Sequence, residues 1–246
     1  MPDLSFDTSI LLNSGDLVPA PLPLPGLPPG AVARALRYLD DGSVRSTVVD
    51  LPKGWASGRV AGAAAQQGYV THGTLHDGDT VLDAGTFFFH PPGHPFSWHA
   101  EQDVGLILIL NAPQAYAPAA TSGAPSGAII GLRPAAVPVT PSLIDGKASG
   151  VIRRVLWQDP VSGADTRHLT IPQGVSGLGA EWHPCNEEIF CLTRDTVADD
   201  AHPFRAGSFL FNPAFAVHGG NRTVNAAQTT MLEWHDGLWA INRYTA

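Results

Sequence analysis

Residues 179–192 read G-A-E-W-H-P-C-N-E-E-I-F-C-L, and residues 206–220 read A-G-S-F-L-F-N-P-A-F-A-V-H-G-G. Apolar side chains alternate with other residues in both stretches, and prolines and glycines interrupt them. Such alternation is typical of short β-strands joined by tight turns. The two stretches therefore predict neighbouring β-hairpins.

Four side chains in these stretches are of the types that bind metals. Every second side chain of a strand faces the same way, so Glu181 and His183 are expected on one side of their strand. Glu187 begins the next strand, and His218 follows the turn of the second hairpin. Two imidazoles and two carboxylates that converge in this way predict a divalent-metal site of nitrogen and oxygen ligands. The alternative interpretation is a set of surface or merely hydrogen-bonded polar residues.

The spacing resembles the metal motif of the cupins, in which His-x-His-x(3,4)-Glu precedes Gly-x(5)-Pro-x(4)-His. Here the motif reads Glu181-x-His183-x(3)-Glu187, followed by Gly207-x(5)-Pro213-x(4)-His218. The wording is most similar to the zinc-binding cupin lobe of anti-sigma factors and to acetylacetone-dioxygenase-like cupins. The resemblance implies an all-β jelly-roll barrel and the four ligands Glu181, His183, Glu187 and His218. The chain departs from the pattern at Glu181, where the family has histidine.

Two roles for Glu181 follow. As a ligand, it would give a neutral two-histidine, two-carboxylate centre that favours Fe(II) or Mn(II) over copper, with Zn and Ni as other divalent candidates. As a proton carrier, it would leave a two-histidine, one-carboxylate face like that of non-haem Fe(II) oxygenases. Both roles predict one metal ion per chain.

The composition limits the class of protein. The 246 residues include 26 Gly and 22 Pro, 44% are hydrophobic, and the net charge is −8. This balance excludes a nucleic-acid-binding function, because few cations are available to neutralise phosphates. No apolar stretch has transmembrane length and no signal peptide is recognised. We expect a soluble cytoplasmic protein whose cysteines, Cys185 and Cys191, form no disulfide.

An internal repeat divides the chain. Residues 66–75 (Q-Q-G-Y-V-T-H-G-T-L) match 187–196 (E-E-I-F-C-L-T-R-D-T), and residues 83–96 match 205–218. The sequence therefore predicts two tandem cupin barrels. The predicted parts are a Pro-rich N-terminal arm (1–29), a first barrel (30–112), an Ala/Pro/Gly-rich linker (113–141) and a metal-binding second barrel (142–246).

The repeat indicates that the first barrel has lost its metal site. Carrying the ligands back places Val60 or Ala61 at Glu181, Gly62 at His183, Gln66 at Glu187 and Phe96 at His218, and none of these is a good ligand. Imidazoles do bind metals, so a cluster of five histidines in the first half leaves a different site open: His72, His76, His90, His94 and His99.

Apolar residues are expected around the metal, because Ile189 and Cys191 share the face of Glu187 and because Phe209 and Phe211 alternate towards the turn. The last strand reads T-M-L-E-W-H-D-G. It turns inward either Glu233 and His235, as an acid and a base, or Leu232 and Trp234, as an apolar wall. Glu181, Glu233 and His235 are thus the candidate catalytic residues, and the predicted pocket consists of Ile189, Cys191, Phe209, Phe211 and Trp234.

Three functions fit this sequence. The first is a metal-dependent oxidoreductase, a dioxygenase acting on a small enolisable or phenolic molecule. The second is a redox-neutral enzyme, an aminohydrolase or isomerase, since the Glu-x-His pair resembles that of ureidoglycine aminohydrolase. The third is a non-catalytic sensor or ligand-binding module. We expect a small-molecule partner and no nucleic acid or membrane partner. The arm of residues 1–29 predicts a homodimer, because it could cover a sheet edge of a neighbour.

Overall fold

The structure is a computed structural model that describes residues 2–119, 125–144, 147–175, 179–194, 204–219, 225 and 227–244. The last glycine of the motif, Gly220, and residues 120–124 of the predicted linker lie outside this set. The regular secondary structure of the described part is almost entirely β-strand, with short 3-10 turns at Ser14–Asp16 and Pro134–Ala136. It contains no helix that is long and apolar enough to cross a bilayer. The all-β prediction is confirmed.

The strands follow one another along the chain as short segments. The first fifteen are β1 (Ser5–Phe6), β2 (Ile10–Asn13), β3 (Ala20–Pro21), β4 (Val32–Tyr38), β5 (Val44–Leu51), β6 (Val60–Gly62), β7 (Gln66–His72), β8 (Thr74–Asp77), β9 (Thr80–Asp83), β10 (Phe87–His90), β11 (Pro95–Phe96), β12 (Trp98–Ala100), β13 (Val104–Leu110), β14 (Tyr116–Pro118) and β15 (Ile129–Leu132). The others are β16 (Leu143–Ile144), β17 (Lys147–Ala148), β18 (Ile152–Gln158), β19 (Asp165–Ile171), β20 (Glu181–Trp182), β21 (Glu187–Arg194), β22 (Ser208–Asn212), β23 (Ala216–Val217), β24 (Thr229–His235) and β25 (Asn242–Arg243).

The chain forms two compact units. The first unit comprises residues 17–136, and the second comprises residues 1–16 together with 137–246. The main sheet of the first unit has the order β15-β10-β7-β13-β5-β4-β3. Its strand β13 (V-G-L-I-L-I-L) is buried along its whole length, as a continuous apolar run between two neighbouring strands predicts. This strand lies at the centre of the core of the first unit.

The main sheet of the second unit has the order β18-β19-β24-β21-β22-β2. From β22 to β18 this order repeats the order β10-β7-β13-β5-β4 of the first unit, strand for strand. The internal repeat of the sequence therefore corresponds to a repeated strand order. The outer position differs: β15 pairs with β10 in the first unit, whereas the N-terminal strand β2 pairs with β22 in the second.

The structure places the unit boundaries differently from the sequence analysis. Residues 1–16 pair with the second unit of the same chain, through β1 against β23 and β2 against β22. The predicted linker contains β14 and β15, which pair with β6 and β10 of the first unit. Its Ala, Pro and Gly content concealed these strands, because such residues are depleted in strands in general. The homodimer stays a prediction.

Candidate metal centre

The four predicted ligands meet at one end of the second unit. Glu181 and His218 lie opposite each other, and each donates its backbone N–H to the carbonyl of the other at 2.9 Å. His183 follows β20, and Glu187 is the first residue of β21. The predicted hairpins are not formed, because β20 pairs with β25 and β23 pairs with β1, whereas β21 and β22 pair with each other. The Glu181–His218 backbone pair nevertheless brings these side chains to a common point.

Both histidines are oriented by the backbone. The Nδ1 atom of His183 lies 2.9 Å from the carbonyl oxygen of Ala240, and that of His218 lies 2.9 Å from the carbonyl oxygen of Ala216. Because a carbonyl only accepts, each Nδ1 carries the hydrogen and each neutral ring keeps its lone pair on Nε2. The Nε2 atoms lie 3.5 and 3.4 Å from the two carboxylate oxygens of Glu187. A hydrogen bond from Nδ1 to a backbone carbonyl, which leaves Nε2 free to bind an ion, is the usual arrangement of metal-binding histidines.

Glu187 is a buried carboxylate at the centre of the group. Its Oε2 accepts a hydrogen bond from Asn212 Nδ2 at 2.7 Å, and its Oε1 accepts one from Trp239 Nε1 at 3.3 Å. Burial would raise its pKa, but the imidazoles of His218 and His235 outweigh burial and hold the pKa well below its usual value. The charged form is therefore the one that this environment selects.

Glu181 completes a set of donor atoms. One ligand atom each from Glu181, His183 and His218 lie within 4.8 Å of one another. Glu181 Oε2 and His218 Nε2 are both buried without a hydrogen-bond partner. Burial, and secondarily the charge of Glu187, raise the pKa of Glu181 to about 7. Buried polar atoms ordinarily have partners, and a bound cation would satisfy both orphaned atoms.

A second group of acidic and imidazole side chains adjoins the first. Donor atoms of Glu187, Glu233 and His235 also lie within 4.8 Å of one another. His235 Nδ1 lies 2.7 Å from Asp165 Oδ1, and its Nε2 lies 3.3 Å from Glu187 Oε1 and 3.5 Å from Glu233 Oε1. Burial opposes a charge on His235, yet Glu233 and Asp165 raise its pKa well above the usual value.

The last strand presents its acid and its base to the centre. In β24, His235 pairs with Glu187 and Glu233 pairs with Ile189, and residues directly opposite in an antiparallel pair share a face. Trp234 pairs with Glu188 on the other face. Of the two inward pairs that the sequence left open, the structure therefore shows Glu233 and His235.

A cavity of about 950 Å³ opens beside these residues. Apolar side chains from four strands form much of its wall, together with the centre's own Glu181, Glu187, His218 and Glu233. The apolar part includes Leu169, Ile171, Ile189, Leu210, Met231 and Ile241.

Of the predicted pocket residues, Ile189 lines the cavity, and Cys191, Phe209, Phe211 and Trp234 do not. In β22, Asn212 pairs with Glu187 and Leu210 pairs with Ile189, which turns Phe209 and Phe211 to the opposite face. There the ring of Phe209 lies 6.1 Å from that of Trp234. Cys191 is fully buried and lies beside a β-bulge.

Sequence reasoning also missed polar residues around the centre. Asn212, which binds Glu187, accepts a hydrogen bond at 2.6 Å from Ser9 of the N-terminal segment. Asp165 and Arg167 lie on β19, and Trp239 follows the last long strand. The D-T-R alternation at the start of β19 was a signal for two polar side chains on one face. Nothing in the local sequence of Ser9 or Trp239 points to the centre.

The first unit has no equivalent centre among its described residues. Phe96 pairs with Val60 as His218 pairs with Glu181, which selects Val60 over Ala61 as the counterpart of Glu181. Gln66 accepts a hydrogen bond from the Tyr116 hydroxyl at 2.6 Å and lies 2.9 Å from His90 Nδ1. The polar atoms of Gln66, which occupies the position of Glu187 in the repeat, are thus satisfied by protein side chains.

The five histidines of the first half do not meet at one point, although the rings of His90 and His94 stack 5.1 Å apart and those of His76 and His99 lie 6.1 Å apart. Within the described residues, no three metal-binding side chains from this part of the chain come together. His90 is buried and its Nε2 lies 2.8 Å from Asp77, whereas His72 and His99 are exposed. The separate metal site left open by the sequence therefore finds no support in the structure.

One substitution tests whether the first unit has lost the ability to bind a metal ion. We expect Gln66→Glu to leave the metal content unchanged, because Val60, Gly62 and Phe96 provide no donor and the neighbouring His90 is already held by Asp77. Metal analysis of the dialysed variant beside the parent protein measures this. An additional ion per chain in Gln66→Glu would contradict the expectation.

Comparison with known proteins shows the fold. No protein-family model and no curated protein matches the chain. Among solved structures, a candidate dioxygenase from Nostoc punctiforme PCC 73102 is 18% identical, with a TM-score of 0.82 over 97% of this chain and 87% of that chain. Phenylalanine-for-tryptophan and alanine-for-serine variants of Bacillus subtilis oxalate decarboxylase are each 14% identical, cover 94% of this chain and 78% of theirs, and have TM-scores of 0.56 and 0.58. At these identities the likeness shows only the fold.

Proposed function

We propose that the chain is a bicupin, two jelly-roll barrels in tandem, and that its second unit is a metal-dependent oxidoreductase of the dioxygenase kind. One observation carries this proposal. Two imidazoles are tied through Nδ1 to backbone carbonyls and direct Nε2 at one buried carboxylate. The unpartnered oxygen of Glu181 lies beside them. This donor set fits a divalent ion, and Fe(II) or Mn(II) suits its mixture of nitrogen and oxygen atoms.

The metal would be held by His183, Glu187 and His218, with Glu181 as a fourth ligand or as a proton carrier. When bound, the ion supplies a Lewis acid and, as iron, one-electron chemistry with oxygen. Asn212 and Trp239 hold Glu187 in place by donating to its two oxygens. A Glu181 carboxyl whose pKa is raised to about 7 can both give and take a proton near neutral pH.

The cavity supports a small organic substrate. Its volume of about 950 Å³ lies within the range of ligand sites in proteins. Apolar walls next to a few convergent polar groups orient a molecule by its oxygen atoms. An enolisable or phenolic molecule, which has an acidic O–H or C–H and an oxygen donor, matches this lining.

A redox-neutral reaction is the second candidate, and the His235 cluster favours it. His235 lies between Asp165, Glu187 and Glu233, so the centre contains an acid–base group in addition to the metal donors. Such a group suits proton transfer in an isomerisation or hydrolysis.

Oxygen uptake separates the two candidates. Protein reconstituted with Fe(II) and, separately, with Mn(II) is supplied with acetylacetone as an enolisable probe and catechol as a phenolic probe. An oxidoreductase should consume oxygen in proportion to product, and His183→Ala protein treated in the same way is the matched control. Product formation without oxygen uptake would favour the redox-neutral reaction. Metal binding without turnover of any probe would favour a ligand-binding module.

A further inference from the structure

Two arginines lie on the wall of the cavity and have no role in the donor set. In the β18–β19 pair, Arg153 lies opposite Leu169 and Val155 lies opposite Arg167. Residues 167, 169 and 171 alternate onto the cavity face, and both arginines line the cavity with Leu169 and Ile171. The sequence gives Arg153 and Arg154 in succession, but only the first of them faces the cavity.

Arg167 is bound on one edge only. Its Nε and Nη2 donate to Asp165 Oδ2 at 2.7 and 2.6 Å. Its Nη1 is buried without a hydrogen-bond partner, 3.9 Å from the nearest Glu233 oxygen. The side chain is only 7% exposed. Leaving a buried guanidinium N–H without an acceptor costs roughly as much free energy as losing a charged hydrogen bond. A ligand that accepts a hydrogen bond from Nη1 would remove this cost.

Arg153 has no carboxylate partner among the described residues. Its Nη2 donates to the carbonyl oxygen of Pro141 at 2.7 Å, and its Nε is buried without a partner. Burial, and then the positive charge of Arg167, lower its pKa. The nearby acids are already engaged, since Asp165 binds both Arg167 and His235. Glu233 lies 3.5 Å from His235 and 3.9 Å from Arg167. Arg153 therefore faces the cavity without a direct ion pair to any carboxylate of the described residues.

Trp239 joins the arginines to the metal centre. The guanidinium carbons of Arg167 and Arg153 lie 4.3 and 5.7 Å from the centre of a Trp239 ring. The same side chain donates to Glu187, and its ring lies 5.1 Å from that of His183. Trp239 thus lies between the proposed metal ligands and the two arginines, whose charges face its ring.

We propose that Arg153 and Nη1 of Arg167 bind the carboxylate of a small organic acid. A second oxygen-bearing group of that acid would face the proposed metal ligands His183, Glu187 and His218. This inference rests on the proposed function and assigns its substrate class. A planar carboxylate matches guanidinium donors, and it satisfies the unpartnered N–H of each arginine. The apolar side chains around the arginines suit the hydrocarbon part of an organic acid better than a phosphate ion, which would leave that wall in contact with water.

The test compares benzoate with its neutral isostere benzamide. Binding to metal-free protein is followed by tryptophan fluorescence, since Trp239 lies against both arginines, and by titration calorimetry. We expect benzoate to bind at least about tenfold more tightly than benzamide, because hydrogen bonds between charged groups are the strong ones. Arg153→Gln should lose about that factor for benzoate and change little for benzamide. Arg153→Lys keeps the positive charge but not the planar guanidinium, so its affinity for benzoate should lie between those of the parent protein and Arg153→Gln.

The matched control is Arg154→Gln, on the same strand but facing away from the cavity. It should bind benzoate within about twofold of the parent protein. Equal binding of benzoate and benzamide, or unchanged benzoate binding in Arg153→Gln, would overturn the proposal. Tighter binding of inorganic phosphate than of benzoate would overturn the carboxylate assignment. Circular dichroism establishes that each variant is folded.

The two proposals fail in distinguishable ways. Protein that binds benzoate through Arg153 but takes up no metal would refute the oxidoreductase and leave the anion site. Protein that holds metal and consumes oxygen with acetylacetone, yet does not distinguish benzoate from benzamide, would refute the anion site alone.

Discussion

Replacing His183 by alanine is expected to abolish metal binding. The substitution removes one of the two imidazoles whose Nε2 atoms face Glu187. His218 and the carboxylates cannot replace it, because no other described imidazole joins Glu181 and His218 in their ligand group. Removing a group that only hydrogen-bonds to a metal ligand typically lowers metal affinity about 10- to 100-fold, so we expect removal of the ligand itself to lower metal affinity by more than about 100-fold. Metal analysis after exhaustive dialysis measures the retained ion per chain.

The control for His183→Ala is His99→Ala, which removes an exposed imidazole from the first unit. It should retain the parent metal content. Full occupancy in His183→Ala, combined with a loss in His99→Ala, would place the metal among the histidines of the first half and contradict the centre described above.

The spacing of the ligands could be predicted from the sequence because it depends on local geometry. The alternation of one strand fixes the relation of Glu181 to His183. The tight turns at Pro184 and Pro213 keep the distance between strands short, so Glu187 and His218 reach the same point. The pairing that completes the centre could not be read in this way, because β20 pairs with β25 near the end of the chain and Glu181 pairs with His218.

The lining of the cavity could not be predicted in the same way. Hydrophobicity identifies a buried face, but both faces of this sheet are buried: Phe209 and Trp234 are 1% exposed on one side, and Met231 is 6% exposed on the other. Only the register of β22 against β21, with Asn212 opposite Glu187, shows which face the phenylalanines occupy. Register depends on pairing between strands, which a single sequence does not show.

The N-terminal segment illustrates a further limit. Its extended composition was recognised, but its destination depends on an exposed strand edge about 200 residues later in the chain. Through Ser9 it contacts Asn212, which in turn holds Glu187. Residues 9–13 of the predicted arm therefore help to support the centre within the chain, and the homodimer stays a prediction.

Replacing Glu181 by glutamine is expected to separate the two roles of this residue. Glutamine has a neutral amide oxygen, a poorer metal donor than a carboxylate, and it cannot carry a proton at neutral pH. If Glu181 is a ligand, Glu181→Gln lowers metal occupancy, and activity falls with it. If Glu181 is a proton carrier, the ion stays at full stoichiometry, and activity falls by about 100- to 10,000-fold, the usual contribution of a general acid or base.

Glu181→His is the matched variant, since it restores the donor that the cupin motif has at this position. The backbone hydrogen bonds between residues 181 and 218 do not involve the side chain, so the histidine should occupy the same place. We expect metal to be retained, because imidazole replaces carboxylate at a similar reach. The net charge of the loaded centre rises by one unit, which should make bound water more acidic and raise the reduction potential of a redox-active ion. Metal stoichiometry of both variants decides between the roles: full occupancy in Glu181→Gln would refute the four-ligand centre and leave His183, Glu187 and His218 as the metal-binding face.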